Sequence, residues 1–250
     1  MLGVTPESLL LALLFLAAAT LYASVGHAGA SAYLAAMALL GLAPEVMRPT
    51  ALVLNLFVAS IVVVRFARAG HLPWRNLLPL VAGSVPAAFI GGTIDLPGDV
   101  YRPLVALVLL AGAWRLATAS GRDDDTAPRG VPVAAGVLAG AAIGLLAGLT
   151  GTGGGIFLTP LLVLAAWTGT RDAAGLSGAF IGLNSIAGLA GLATGPGVAL
   201  PAALPLWVVA VVAGGLTGSW LGTARFSIVS LRRALAFVLV LAAAKLVFLP

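Results

Sequence analysis

The sequence predicts an all-α polytopic membrane protein made of two inverted repeats of five hydrophobic segments, each opening with a glycine-broken helical hairpin. Composition is the first observation behind this prediction. Of 250 residues, 61% are hydrophobic and 8% are charged, and the mean hydropathy is +1.13. Soluble domains of this length are far less apolar, whereas bilayer-crossing helices need about 20 apolar residues each. An internal duplication and the placement of the basic residues are the other two observations.

The same composition excludes several classes of protein. The net charge of +5 comes from basic residues scattered between apolar runs, a pattern typical of membrane orientation rather than nucleic-acid binding. The chain has no cysteine, and its two histidines, His27 and His71, are too few for a histidine-built metal site. We therefore expect no cofactor, no metal ion and no nucleic-acid partner, and we expect the lipid bilayer to be the surroundings.

The first half, residues 1–119, contains five apolar runs. In order they are Leu9–Val25, Tyr33–Leu42, Thr50–Val64, Leu77–Ile94 and Pro103–Thr118. The start of the chain, Met1–Ser8, has no Lys or Arg, so we expect the first run to be a membrane helix rather than a signal peptide. The segment Gly26–Ser31 interrupts the apolar sequence, and the second run is too short to span comfortably. Ala43–Pro49 is predicted to be a polar turn.

Residues 120–130 are the most polar part of the chain and are predicted to form a linker, because they contain Asp123, Asp124 and Asp125 between basic residues. The second half, residues 131–250, repeats the order of the first. Its runs are Val131–Leu149, Ile156–Thr168, Ala173–Ala193, Leu204–Gly222 and Ala234–Leu249. Glycines at four-residue spacing predict a face for close helix packing, and in the first of these runs they are Gly136, Gly140, Gly144 and Gly148.

The two halves align residue on residue, which indicates an internal duplication. Gly26–Ala30 matches Gly151–Gly155, and Asn55 falls opposite Asn184. The breaks in the apolar sequence therefore occur at matching places. Matching interruptions in two repeats are the best sequence indication of a transporter binding site near the middle of the membrane.

The 13 basic residues favour one way of crossing the membrane. If each break only kinks a spanning helix, the basic residues divide six against seven, which is no bias. If each break is the tip of a hairpin that returns to its starting side, only Arg48, Arg102 and Lys245 fall on one side. The other ten are Arg65, Arg68, Arg75, Arg115, Arg122, Arg129, Arg171, Arg225, Arg232 and Arg233. Because cytoplasmic loops are enriched in Arg and Lys, the hairpin arrangement predicts a cytoplasmic linker and two periplasmic termini.

The second break lies in the segment Leu145–Pro160, whose glycines are expected to interrupt the helix. A broken helix in a bilayer leaves backbone N–H and C=O groups that protein, water or a ligand must satisfy. A helix that restarts at Ile156 would present N–H groups and a positive dipole end to an anion. The alternative is that the glycines only pack helices together. No acidic or basic residue is expected deep inside a span, which favours neutral groups as ligands.

The pattern Gly-x-Gly-Gly-Gly-x-x-x-x-Pro at Gly151–Pro160 resembles the signature of the TauE/SafE family, the sulfite exporter-like permeases. The resemblance continues through the duplication and the paired ending Gly218–Gly222 and Leu231–Arg233, so it covers nearly the whole chain. It implies a carrier of sulfite, thiosulfate, sulfoacetate or a related small sulfur anion in the bacterial inner membrane. The first repeat departs from the pattern, because Ala35 stands where Pro160 stands in the second.

The leading hypothesis is a secondary transporter of a small sulfur-containing anion that works by alternating access, with protons as a coupling ion. The candidate substrate-binding residues are Gly26, His27, Gly29, Ser31, Asn55, Gly151, Thr152, Gly153, Gly154, Gly155 and Asn184. For both asparagines the alternative role is hydrogen bonding between helices, and for His27 it is capping. Other open functions are transport of another small anion or an organic acid, an intramembrane enzyme, and a structural membrane subunit. No carboxylate pair or Ser/His/Asp set lies within a span, so we predict no catalytic residue and no enzyme.

Overall fold

The computed structural model describes residues 5–24, 26–118, 128–221 and 229–248, and these ranges form ten helices and no strand. The helices are α1 (Pro6–Ala23), α2 (Ala30–Leu39), α3 (Pro44–Arg68), α4 (Trp74–Thr93), α5 (Gly98–Thr118), α6 (Val133–Thr150), α7 (Gly155–Leu164), α8 (Thr170–Thr194), α9 (Leu204–Leu221) and α10 (Val229–Phe248). Six of the described helices are long and apolar enough to cross a membrane, namely α1, α3, α4, α6, α8 and α9. The predicted fold class, an all-α polytopic membrane protein, is confirmed.

Two helices are much shorter than the others, and both follow a glycine break. The helices α2 and α7 have 10 residues each. Their N-caps are Gly29 (φ 99°) and Gly154 (φ 83°), which adopt a left-handed conformation that other residues rarely tolerate. Ten residues rise about 15 Å, which is half of a hydrocarbon core. The predicted interruption of the apolar sequence at both breaks is therefore observed.

The prediction of a polar turn at Ala43–Pro49 was wrong. α3 begins at Pro44, so Glu45 and Arg48 lie within the helix rather than before it. Proline in the first turn is compatible with a helix start, and an acidic residue there interacts favourably with the helix dipole. α8 also begins with charged residues, because its first turn includes Arg171 and Asp172.

The glycine faces pack helices backbone to backbone, as predicted. Gly140, Gly144 and Gly148 of α6 lie against Leu80, Ser84 and Ala88 of α4, where a Cβ atom would collide with main-chain atoms. α9 and α1 meet in the same manner, through Gly214 against Leu16 and Gly218 against Thr20. Residue numbers rise together along both members of each pair, so α4 is parallel to α6 and α1 is parallel to α9.

At the centre, α3 and α8 cross in opposite directions. Gly178 lies against Val62 and Gly188 against Leu52, while the amide of Asn55 meets Ser185 between these points. The larger apolar core joins side chains of α1, α2, α3, α5, α9 and α10, and a smaller one joins α7 and α8 to α4. The crossing of α3 and α8 is the place on which both glycine breaks converge.

The second break is the turn of a helical hairpin. Arg129 N–H donates to the Ala166 carbonyl at 2.9 Å, and Gly130 N–H donates to the Trp167 carbonyl at 3.1 Å. The chain therefore returns, after α7, to the residues that precede α6. Most of the predicted linker 120–130 lies outside the described residues, and the division into 1–119, 120–130 and 131–250 stays a prediction.

The packing of α6 on α4 predicts that Gly140→Ala lowers stability. The new Cβ would meet the Leu80 carbonyl, and the helices would have to separate, at a cost of about 1–3 kcal/mol in the free energy of unfolding. The measurement is thermal unfolding of the purified protein in detergent. Gly182→Ala is the control, because its Cβ would make only an ordinary 3.5 Å contact with Ala59. Equal melting temperatures for the two variants would contradict this account.

Candidate functional site

The two breaks touch each other through His27. Its Nε2 atom lies 3.2 Å from the carbonyl oxygen of Gly155 and 2.9 Å from Oγ1 of Thr159, both at the start of α7. A carbonyl oxygen only accepts, so the contact with Gly155 is a hydrogen bond when Nε2 carries the proton. Thr159 Oγ1 continues the chain of contacts to Ser177 Oγ of α8 at 2.6 Å. His27 therefore links the first break to the short helix that follows the second.

The helix ends that precede the breaks have partners for their carbonyl groups. In α1, backbone N–H and side-chain donors satisfy the carbonyls of Thr20, Leu21, Tyr22 and Ala23. In α6, equivalent donors satisfy the carbonyls of Leu146, Ala147, Gly148 and Thr150. These bonds are what allows a helix to end inside a membrane.

The helix starts that follow the breaks are different, because their N–H groups lack acceptors. Within the described part of the chain, no hydrogen bond is made by the N–H groups of Ala28, Gly29 and Ala30 before and in α2. The same holds for the N–H groups of Gly153, Gly154 and Gly155 at α7. Each set lies at the positive end of a helix dipole. The breaks thus present an excess of donors, which is the arrangement that an anion completes.

Two buried asparagines add unpaired amide atoms at the crossing of α3 and α8. Asn55 and Asn184 are both 0% exposed. Oδ1 of Asn55 and both amide atoms of Asn184 have no hydrogen-bond partner among the described residues. Nδ2 of Asn55 lies 3.5 Å from Ser185 Oγ and would be 2.8 Å from a Cβ atom on Gly153, so it reaches the second break. Buried amides without partners are costly unless a ligand or water completes them.

Arg48 is buried between the outer parts of α3, α4 and α6, and only 5% of it is exposed. Its guanidinium donates to the carbonyls of Gly91, Ile94 and Gly148. Arg48 is the fifth residue of α3 and thus lies near one end of this span, so the expectation that no basic residue lies deep inside a span stays a prediction. All three acceptors belong to C-terminal helix ends, where a cation is favourable. Arg48 is thus a structural clamp that holds the second break in place.

A cavity of about 320 Å³ opens beside this clamp. Its wall includes Arg48, Glu45, Asp95 and Tyr101, and it continues along the segment after α8, from Pro196 to Ala199. Tyr101 also donates to the Thr150 carbonyl at 3.1 Å. The cavity therefore lies beside Arg48 and Tyr101, the two side chains that bind carbonyls at the end of α6.

The structure brings five of the predicted site residues together. They are His27, Asn55, Gly153 and Gly155, which touch through the contacts above, and Asn184, which precedes Ser185 on α8. The other six lie at the breaks but contact different groups. Gly26 packs on Ala174, Gly29 on the Tyr33 ring, Gly151 on Arg48, and Gly154 on Ile143 and Phe180, while Ser31 bonds Tyr22 and Thr152 bonds Thr150.

Sequence reasoning missed Thr159, Ser177 and Ser185. Hydroxyl residues are common in membrane helices and usually bond to their own backbone, so none stood out in the sequence. Thr159 had one usable signal, since it follows Gly155 by one helical turn and therefore shares its face. For metal ions the described residues contain no suitable group of three His, Asp or Glu side chains.

Comparison with known proteins agrees with this description. The family described as "Sulfite exporter TauE/SafE" matches residues 10–246. The chain is 39% identical over 245 residues to "Probable membrane transporter protein y4hK" of Sinorhizobium fredii (strain NBRC 101917 / NGR234), an alignment that covers 97% of this chain and 99% of that protein. No solved structure matches the chain at a significant level.

The clamp predicts that Arg48→Met destabilises the protein strongly. Three carbonyls would lose their donor, two of them in buried hydrogen bonds, and leaving such groups unsatisfied costs about 2 kcal/mol or more in total. Arg48→Lys should restore little, because one ammonium group does not reach three separated carbonyls in a fork geometry. Thermal unfolding in detergent measures both effects. Arg75→Met, at an exposed arginine, is the matched control, and an equal loss there would show that Arg48 has no special role.

Proposed function

The chain belongs to the sulfite exporter TauE/SafE family of membrane transporters, and from that premise we propose that it is a secondary transporter of a small sulfur-containing anion. The substrate class is sulfite, thiosulfate or an organosulfonate. The anion binds between the two glycine breaks, at the crossing of α3 and α8. A transporter of another small anion or an organic acid is the second candidate. An intramembrane enzyme is disfavoured, because the site contains no set of side chains suited to catalysis.

One observation carries the proposal, namely that carbonyl groups at the breaks have hydrogen-bond donors in the protein whereas N–H groups there lack acceptors. Among the last four carbonyls of each helix, all in α1 and all but that of Leu149 in α6 have donors in the protein, whereas the N–H groups of residues 28–30 and 153–155 have no acceptor among the described residues. A cation would need the reverse arrangement. The oxygens of a small oxyanion accept from several N–H groups at once, and His27, Asn55 and Asn184 are placed to add side-chain contacts.

Alternating access follows from the proposed inverted relation of the two halves. Asn55 and Asn184 correspond in the internal alignment, and their helices, α3 and α8, run antiparallel. α1 and α4 lie parallel to α9 and α6, so each hairpin packs on a helix of the other half. In transporters built this way, one half rocks against the other around a site near the midplane. Contacts between halves, such as Arg48 with Gly148, would then break and re-form during the cycle.

The charge distribution supports a place in the bacterial inner membrane with the Arg-rich loops facing the cytoplasm. Arg65 and Arg68 end α3, and Arg75 begins α4, so this side holds three basic residues close together. Both termini are then periplasmic.

The site predicts that Gly153→Ala weakens anion binding by roughly tenfold to a hundredfold. Gly153 has φ 71°, and a Cβ atom there would lie 2.8 Å from Nδ2 of Asn55, so the change disturbs both the backbone donors and the amide. Titration of sulfite and thiosulfate against the purified protein, followed by thermal stabilisation, gives the affinity.

Gly70→Ala is the control for Gly153→Ala. Gly70 has φ 77° and nothing within 4 Å of its Cβ position, so the change adds the same backbone strain away from the site. Both variants should lose some stability, but only Gly153→Ala should lose affinity. Normal binding by Gly153→Ala would mean that the glycines only pack helices and that the anion binds elsewhere.

The proposed topology predicts opposite labelling of two single cysteines in this cysteine-free chain. A cysteine that replaces Pro128 should react with an impermeant maleimide only from the cytoplasmic side, and one that replaces Val198 only from the periplasmic side. Both positions are exposed, so reagent can reach them. Right-side-out and inside-out vesicles provide the two directions, and labelling of both cysteines from one face would refute the inverted arrangement.

A further inference from the structure

We propose that the transported species is a monoanion that still carries a proton, hydrogensulfite rather than the sulfite dianion, so that the coupling proton travels on the substrate. This inference rests on the proposed function and concerns the same site.

The charge that the site offers is close to one. Each helix start contributes about half an elementary charge, so α2 and α7 together offset about one negative charge. Arg48 lies seven residues before Asn55 on α3, about two turns away, and each of its three nitrogens donates to a carbonyl at a helix end that carries negative partial charge. The contacts of the breaks described above include no other basic side chain, and a dianion would leave about one charge uncompensated in a low-dielectric site.

The titratable groups around the breaks do not supply the missing charge. A neutral imidazole with its proton on Nε2 is sufficient for the hydrogen bond from His27 to the Gly155 carbonyl, so this bond does not require the imidazolium form. The hydroxyl of Tyr22 contacts Ser31, and that of Tyr33 donates to the Ala28 carbonyl. From α7 and α8 the facing polar groups are the hydroxyls of Thr159 and Ser177, which do not titrate.

The charged residues of α8, Arg171 and Asp172, lie at its first turn, near Ala174, on which Gly26 packs, and Arg171 is exposed. Asp172 of that turn is paired with His71, at 2.9 Å between Oδ1 and Nδ1. This pair joins α8 to the segment between α3 and α4 and leaves the crossing of α3 and α8 to neutral side chains.

The amide of Asn184 fits a protonated oxyanion. Its Nδ2 and Oδ1 atoms both lack partners among the residues that the structure describes, so it offers a donor and an acceptor together. Ile181, one turn earlier on the same face of α8, contacts the Cβ positions of Gly153 and Gly155, which directs this face to the second break. A fully deprotonated anion can only accept a hydrogen bond from Nδ2 of Asn184, whereas hydrogensulfite can also donate its own proton to Oδ1 of Asn184.

The experiment compares sulfite with methanesulfonate, a monoanion at every pH used, from about pH 6 to about pH 8. Hydrogensulfite loses its proton near neutral pH, so the affinity expressed in total sulfite should fall, approaching tenfold per pH unit, while that of methanesulfonate stays flat. Binding is measured as thermal stabilisation of the purified full chain, each variant against its own ligand-free state. Thiosulfate serves as a constant dianion, and acetate and malonate serve as a carboxylate monoanion and dianion.

Two variants locate the proton. His27→Gln should lower the affinity for both sulfur anions by similar factors but retain the pH dependence for sulfite. Asn184→Ala should weaken sulfite at about pH 6 by about tenfold and methanesulfonate by clearly less, because only hydrogensulfite loses a partner for its proton. If a variant fails to fold, the comparison of sulfite with methanesulfonate in the wild-type chain still tests whether the bound species is a monoanion.

The outcomes separate this inference from the proposed function. A sulfite affinity that is flat or rises with pH, a pH dependence that disappears in His27→Gln, or thiosulfate binding tighter than methanesulfonate would overturn the monoanion and leave sulfur-anion transport standing. Binding of acetate but not malonate, with no sulfur anion bound, would overturn the sulfur substrate and retain the monoanion. Binding of no anion in the series would overturn both.

Discussion

Backbone hydrogen bonding within the bilayer is the constraint on which the rest of the structure depends. A helix that ends inside a membrane exposes carbonyl groups at one end and N–H groups at the next start, and lipid satisfies neither. This protein contains two such interruptions, and it treats the two kinds of end differently. At the end of α6, the side chains of Arg48 and Tyr101 donate to the carbonyls of Gly148 and Thr150. At the starts of α2 and α7, the N–H groups have no acceptor among the described residues, so a bound anion can accept from them.

The glycine faces make this arrangement possible, because they bring the backbones of two helices close enough for one side chain to bind carbonyls of both. Without side chains at Gly144 and Gly148, α6 lies directly on α4, and the guanidinium of Arg48 contacts carbonyls from both helices. Glycine therefore has two separate roles here. In the long helices it allows close packing, and in the breaks its left-handed conformation turns the chain and exposes N–H groups.

Much of the fold was accessible from sequence because it depends on local signals. Apolar runs, glycine spacing and the duplication predicted the ten helices and the two breaks. The start of α3 was misplaced because Pro44 and Glu45, read as a polar turn, are also signals for a helix start. Arg48 was placed in the same turn. Its role could not be predicted from local sequence, because one of the carbonyls that it binds lies 100 residues away in the chain. Thr159 and Ser177 are ordinary helix residues until the fold places them beside His27.

The contact between Arg48 and Gly148 has a consequence for the order of synthesis. Arg48 leaves the ribosome 100 residues before the carbonyl that it must cap. His27 precedes Gly155 by 128 residues. The first half therefore enters the membrane with the Gly91 and Ile94 acceptors of Arg48 in place, but before its third acceptor and the α7 contacts of His27 have been made. If the gene were split between the halves, the contacts of Arg48 with Gly148 and of His27 with Gly155 would form only after the two products had associated.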